Sequence, residues 1–121
     1  MNWMIIAIFA VAAIFLALRR RGGALAAPET ITGLLPQKPV VIDVRTAAEY
    51  EAGHLPGVVH IPLAELARET GRRVPDKSRP VLLHCASGAR SAAGKKQLER
   101  MGYKSVHNLG SLGRARSLLA G

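Results

Sequence analysis

The sequence predicts an α/β fold: a central parallel β-sheet flanked by helices on both faces, preceded by one transmembrane helix. Three observations carry this expectation. Two runs, the β-branched "PVVIDV" from Pro39 and "PVLLHC" from Pro80, are continuous rather than alternating, the pattern of strands buried on both faces. Segments with helical spacing and glycine ends lie between the strands, and that alternation implies parallel pairing. The stretch from Trp3 to Leu18 is apolar without a break.

Taken in chain order, that first stretch is short for a membrane span. At 1.5 Å per residue, about 16 helical residues reach ~24 Å of a ~30 Å hydrocarbon core, so Met1, Asn2 and snorkelling arginines must supply the rest. Arg19, Arg20 and Arg21 follow directly. Positive charge on this flank alone places the N-terminus outside and the remaining chain in the cytoplasm. The rival is a signal peptide cleaved near Ala24 to Ala26 with export of the rest, but that pattern wants its positive charges before the apolar stretch. The expected organisation is an anchor over 1–21, a short flexible linker over 22–30 and one domain over 31–121.

Within the domain, Pro39 to Val44 is the first strand. Thr46 is placed to cap a short helix that stops at Gly53. "VVHIP" reads as a further short strand and "LAELARETG" as an amphipathic helix closed by Gly71, followed by the charged loop "RRVPDKSRP". Pro80 to Cys85 is the next strand. Ala92, Ala93, Leu98 and Met101 fall near one face of a helix from about Arg90, ended by Gly102. "SVHNLG" supplies another strand and "SLGRARSLLAG" a last helix.

Seventeen Lys and Arg against eight Asp and Glu give a formal charge of +9, suited to anionic partners. Aromatics make up only 4% of the chain, which argues against the stacking platforms of single-strand nucleic-acid binders, and nucleic acid is not an expected partner. One cysteine among 121 residues forms no intramolecular disulfide, so the fold does not rest on disulfide staples.

That cysteine, Cys85, ends a strand, and in parallel sheets ligands bind beyond the carboxyl ends of strands. Asp43 and Arg45 mark a second strand end. Small side chains and Gly88 in "ASGAR" let successive backbone N–H groups turn inward into an anion-binding nest, backed by a helix N-terminus. Arg90 and the positive end of the helix both favour a thiolate. Activation alone gains little. A fall in pKa from ~8.5 to roughly 6.5 raises the thiolate fraction at pH 7 about 25-fold, but nucleophilicity falling at a slope of ~0.45 returns roughly eightfold of it. The larger expected effect of the loop is to hold an anionic substrate and stabilise charge at the attacked sulfur, with Arg90 as a bidentate donor beside preorganised amides.

These residues resemble the rhodanese family of sulfurtransferases. The active loop of that family runs C-x-x-G-x-R-[ST], and "CASGARS" stands at Cys85 to Ser91. "VIDVR" at Val41 to Arg45, "EYEAGHLPGVVHIP" at Glu49 to Pro62 and "MGYKSVHNLGS" resemble further stretches of the family in the same order. The resemblance implies a rhodanese-like domain in which Cys85 takes sulfane sulfur from thiosulfate or a related donor and passes it as a persulfide to a thiophilic acceptor, a thiol or a sulfur-carrier protein. Backbone groups of Ala86, Ser87, Gly88, Ala89, Arg90 and Ser91 would surround the persulfide, Asp43 and Arg45 would support the loop, and neither metal nor organic cofactor is implied. Two positions depart from the family pattern. Ala86 stands where an arginine is common, and Ser111 replaces the second glycine of a terminal pair that a tryptophan usually follows.

Other readings are weaker. Cysteine-dependent phosphatases and arsenate reductases have five residues between cysteine and arginine; four intervene here, a cradle small for a phosphoryl group. A membrane-tethered binding module using the fold without catalysis is the other alternative. His54, His60 and His84 with Cys85 lack the paired spacing of a zinc site, and strand neighbours His84 and Cys85 point to opposite faces. Asp43 is expected to pair with a nearby donor, Arg45 to help draw anions in, His54 to act as a hydrogen-bonding strut, and Glu49 and Glu51 to be solvated.

Overall fold

A computed structural model of the chain describes residues 2–22 and 24–120. Helix α1 (Trp3–Gly22) is followed by α2 (Pro28–Leu34), β1 (Val40–Asp43), α3 (Ala47–Ala52), β2 (Val59–His60), α4 (Leu66–Arg73), β3 (Val81–Cys85), α5 (Ala89–Arg100), β4 (Val106–Ser111) and α6 (Leu112–Ala120). Single 3₁₀ turns at Leu35–Gln37 and Leu63–Glu65 lead into β1 and α4.

The four strands form one parallel sheet in the order β2-β1-β3-β4. From β1 the chain moves outward to β2 at the edge, then crosses back over β1 to β3 and on to β4. The direction of progression therefore reverses between β1 and β3, and in parallel sheets ligands bind outside the carboxyl ends of strands at such a reversal. Asp43 and Cys85 end them.

Side-chain alternation divides the core into two layers. Val40, Ile42, Val44, Val81, Leu83 and Cys85 pack on one face with Leu66 of α4 and Leu98 of α5. Leu82 and Leu109 pack on the other with Ile31 of α2 and Ala115 of α6. All five residues of β3 are buried, as its unbroken apolar pattern requires. On the α5 side, Gly94 admits close approach: a Cβ there would stand 2.9 Å from Leu66 Cδ2 and 3.2 Å from Leu83 Cδ1.

Three features differ from the sequence expectation. Helix α2 lies where no element was read; Pro28 at its first turn and Ile31 buried beneath it account for it. Helix α4 runs through Gly71 to Arg73, because nothing crowds that glycine and an exposed helix tolerates it. Leu25, in the stretch read as a flexible linker, forms a parallel bridge with Asn108, and Ala26 N–H donates to the Asn108 carbonyl at 2.9 Å.

The expected membrane anchor is overturned. Among the described residues no helix is long and apolar enough to cross a membrane. The apolar run of α1 gives only ~24 Å of the ~30 Å required, and the Arg19, Arg20 and Arg21 side chains invoked to make up the difference lie outside the described residues. The membrane partner assigned to residues 3–18 and the cytoplasmic placement derived from the anchor are contradicted with it. What α1 does show is a set of exposed apolar side chains, among them Trp3, Phe9 and Phe15.

Candidate active site

The last residue of β3 presents its side chain to the turn that follows. Gly88 adopts φ +98°, and a Cβ there would meet Gly110 Cα at 3.2 Å, so the turn requires glycine on two counts. This conformation aims the Gly88 N–H at Cys85 Sγ, 2.9 Å away. Ser91 Oγ stands 3.5 Å from the same sulfur, and the N–H groups of Ser87 and Ser91 also act on it. Cys85 is fully buried, and Ala86, Ser87 and Ala89 around it are exposed. Burial pushes the thiol up; the Ser91 hydroxyl and the amides of Ser91, Gly88 and Ser87 pull it down, and they prevail, leaving it below the ordinary thiol value. Of the residues 86–91 expected to form the nest, Ser87, Gly88 and Ser91 direct donors at sulfur.

Arg90 is placed differently from its expected use. Its guanidinium forms a two-point pair with Glu49 of α3, Nη1 to Oε1 at 2.6 Å and Nη2 to Oε2 at 2.9 Å. Glu49 in turn belongs to a capping box with Thr46: the Thr46 hydroxyl accepts from the Glu49 N–H, and Glu49 Oε1 accepts from the Thr46 N–H at 3.1 Å. Arg90 first and the Thr46 amide second bring the Glu49 carboxyl down to about 2. The charge of Arg90 is therefore shared with α3, and Glu49, read as solvated, is the clamp. The T-x-x-E spacing signalled its cap but not its partner 41 residues away.

Arg45 does not reach into the nest. It is 6% exposed, and Nε and Nη2 donate to the Asp43 carboxylate at 2.8–3.1 Å while Nη2 also donates to the Gly53 carbonyl at 2.7 Å. Burial pushes the Asp43 carboxyl up, but hydrogen bonds from the Arg45 side chain and backbone, with His84 nearby, hold it below its usual range. The expectation that Arg45 draws anions in gives way to a strut between β1 and the α3 end; Asp43 pairs with a nearby donor as expected. His84 is fully buried on the opposite face from Cys85, with Nε2 3.7 Å from Asp43 Oδ2. Burial outweighs the attraction of Asp43 and lowers its pKa, favouring the neutral imidazole.

Near the same strand end, Tyr50 is stacked between His54 and His60, with centroids 3.8 and 4.2 Å away. His54 Nδ1 bonds the Tyr50 carbonyl at 2.9 Å and His60 Nε2 the Arg45 carbonyl at 2.8 Å, both struts for the loop after β1. Among the described residues no group of His, Cys, Asp and Glu has the arrangement of a metal site. Ser111, where the family pattern has glycine, accepts the Arg114 N–H at 3.1 Å and so caps α6.

A family model described as a rhodanese-like domain matches residues 27–112. The chain belongs to the rhodanese-like family. This rhodanese-like chain is 39% identical over 71 residues to the thiosulfate sulfurtransferase PspE of Escherichia coli, covering 59% of the chain and 68% of that protein. It is 33% identical over 70 residues to the thiosulfate sulfurtransferase GlpE of Coxiella burnetii, covering 58% of the chain and 64% of that protein. A solved structure titled "rhodanese with anions from E. coli" superposes with a TM-score of 0.61 at 37% identity, over 63% of this chain and 89% of that one. These two relatives are named thiosulfate sulfurtransferases, and the parallel sheet with helices on both faces is the rhodanese-like fold.

Proposed function

We propose that this rhodanese-like chain is a sulfurtransferase that carries sulfane sulfur on Cys85. The observation that carries the reading is the Gly88 N–H aimed at Cys85 Sγ from 2.9 Å, with the Ser87 and Ser91 amides acting on the same atom. Such fixed donors around a buried sulfur stabilise negative charge on it without reorganising.

In the first half-reaction the Cys85 thiolate attacks the outer sulfur of thiosulfate. A new S–S bond forms, the original S–S bond breaks with its electron pair leaving on sulfite, and Cys85 becomes a persulfide. In the second, a thiophilic acceptor attacks the outer sulfur and the Cys85 thiolate departs. Both steps end with charge on a sulfur of Cys85, where the amides of Ser87, Gly88 and Ser91 act. No proton donor to the leaving group is needed, because sulfite and thiolate are both stable anions. A cellular thiol or a sulfur-carrier protein fits as acceptor. The absence of a positive side chain at Ala86 and the engagement of Arg90 by Glu49 leave the backbone as the principal anion receptor of the loop.

The test is thiocyanate production from thiosulfate and cyanide by the full chain and by Cys85→Ser. Turnover is expected from the former and none from the latter, with the same circular dichroism spectrum. Equal activity in both would remove Cys85 from the reaction, and inactivity of both with binding of thiosulfate retained would favour a non-catalytic module.

A further inference from the structure

Strand β4 carries an irregularity next to this loop. Its register against β3 runs Leu83 to Asn108 and then His84 to Gly110, so Leu109 is an extra residue, and Gly110 takes φ +88°. Asn108 pairs with Leu83 and so lies on the face of the sheet that carries Cys85, and the bulge follows it directly. Asn108 is 1% exposed. Its Oδ1 accepts the Gly110 N–H at 2.9 Å and the Ser91 hydroxyl at 2.6 Å, and its Nδ2 donates to the Gly88 carbonyl at 3.1 Å. An N–H on one side and a carbonyl on the other leave the amide a single orientation.

We propose that Asn108 is a positioning residue for sulfur transfer, pinning from the β4 bulge the two residues, Gly88 and Ser91, that donate to Cys85 Sγ. The proposal rests on Cys85 as the sulfur carrier. Fixing the Gly88 carbonyl fixes that residue's orientation, and with it the direction of the N–H that meets sulfur. Ser91 has one hydroxyl proton and three acceptors within reach: Asn108 Oδ1 at 2.6 Å, the Gly88 carbonyl at 3.2 Å and Cys85 Sγ at 3.5 Å. The shortest of these holds the proton while sulfur is neutral. A rotation about the Cβ–Oγ bond transfers the donation to Sγ as charge arrives there, and returns it to Asn108 when sulfur is again uncharged. Asn108 is thus the resting place of a donor that the reaction calls on twice.

The experiment is the pH dependence of Cys85 alkylation by iodoacetamide in the full chain, compared among wild type, Asn108→Ala, Ser91→Ala and the double variant. Other ionisable groups on the elements around the loop are Asp43, Arg45, Glu49, His84, Arg90 and Arg114; they are common to all four proteins and drop out of the comparison. Asn108→Ala is expected to raise the alkylation midpoint by about half to one pH unit, which is three- to tenfold less thiolate below the midpoint. The double variant is expected to show less than the sum of the single shifts, because part of the Asn108 effect passes through Ser91. A midpoint unchanged in Asn108→Ala, or shifts that simply add, would overturn the proposal; a merely structural asparagine changes stability without moving the midpoint. Should Asn108→Ala not fold, the wild-type protein gives the answer by NMR: the Asn108 side-chain amide signals must titrate with the Cys85 midpoint, and a flat response overturns the proposal. Alkylation needs no sulfur donor, so these outcomes are independent of whether Cys85 loads sulfur.

Discussion

Glu49 and Arg90 join two segments 41 residues apart at the rim of the nest, and each is only partly covered by protein. The carboxyl of Glu49 falls from 4.5 to about 2 in the folded chain, so its ionised form is favoured by folding. A depressed carboxyl contributes stability that is present above its unfolded value and is lost as pH falls through its folded value. Glu49→Gln is therefore expected to be less stable than wild type at neutral pH, with the difference closing between about pH 4.5 and about 2, measurable by denaturant titrations across that range. Arg90→Ala leaves the Glu49 carboxylate beside the nest with no countercharge. Sulfur loading from thiosulfate is expected to fall about tenfold or more, read as the rate of sulfite release, with the larger part in the loading rate constant.

At the scale of the elements, the loop between β3 and α5 depends on glycine. Gly88→Ala forces a Cβ onto φ +98° and to within 3.2 Å of Gly110 Cα, a backbone atom that has no rotamer to yield. A loss of about 1–2 kcal/mol or more in thermal or chemical denaturation is expected, together with loss of sulfur loading, since the Gly88 N–H can no longer be aimed at sulfur. Thr46→Ala removes one half of the α3 capping box and is expected to cost about 1 kcal/mol. The strands were the most legible elements: the unbroken runs at Val40–Asp43, β-branched, and Val81–Cys85, leucine-rich, have few alternatives, and the cap at Thr46 and the stop at Gly53 were readable because they are local. Helix α2 was not, because "PETITGL" is short, contains Gly33 and buries only Ile31. The cysteine, its strand end and its glycine turn were likewise local and legible. The Arg90–Glu49 pair, the Asp43–Arg45–Gly53 strut and the reach of Asn108 to Ser91 arise from strand order and from a bulge, neither of which leaves a fixed spacing in the chain. A polar Asn108 at an inward position of a buried strand was the one available signal.

The whole molecule carries a formal charge of +9, and its proposed sulfur donor, thiosulfate, is a dianion. Steering by a net positive field raises the encounter rate at low ionic strength and is screened over about 10 Å at 0.1 M salt. The kcat/KM for thiosulfate is expected to fall as sodium chloride rises from about 10 to 300 mM, a range over which the Debye length shrinks several-fold. A donor of no net charge should show no such fall. Helix α1 exposes Trp3, Phe9 and Phe15, so it adds little to the buried layers on which the sheet depends. The family match beginning at residue 27 leaves α1 outside it, while Leu25 and Ala26 are tied to β4 beside the site.

The claim that the nest serves sulfur on Cys85 is tested most directly by intact-protein and peptide mass spectrometry of the full chain after incubation with thiosulfate. The expected result is a gain of one sulfur atom, mapped to the peptide bearing Cys85, removed by cyanide and absent from Cys85→Ser. A folded chain whose mass is unchanged by thiosulfate, or whose added sulfur survives cyanide, would contradict it.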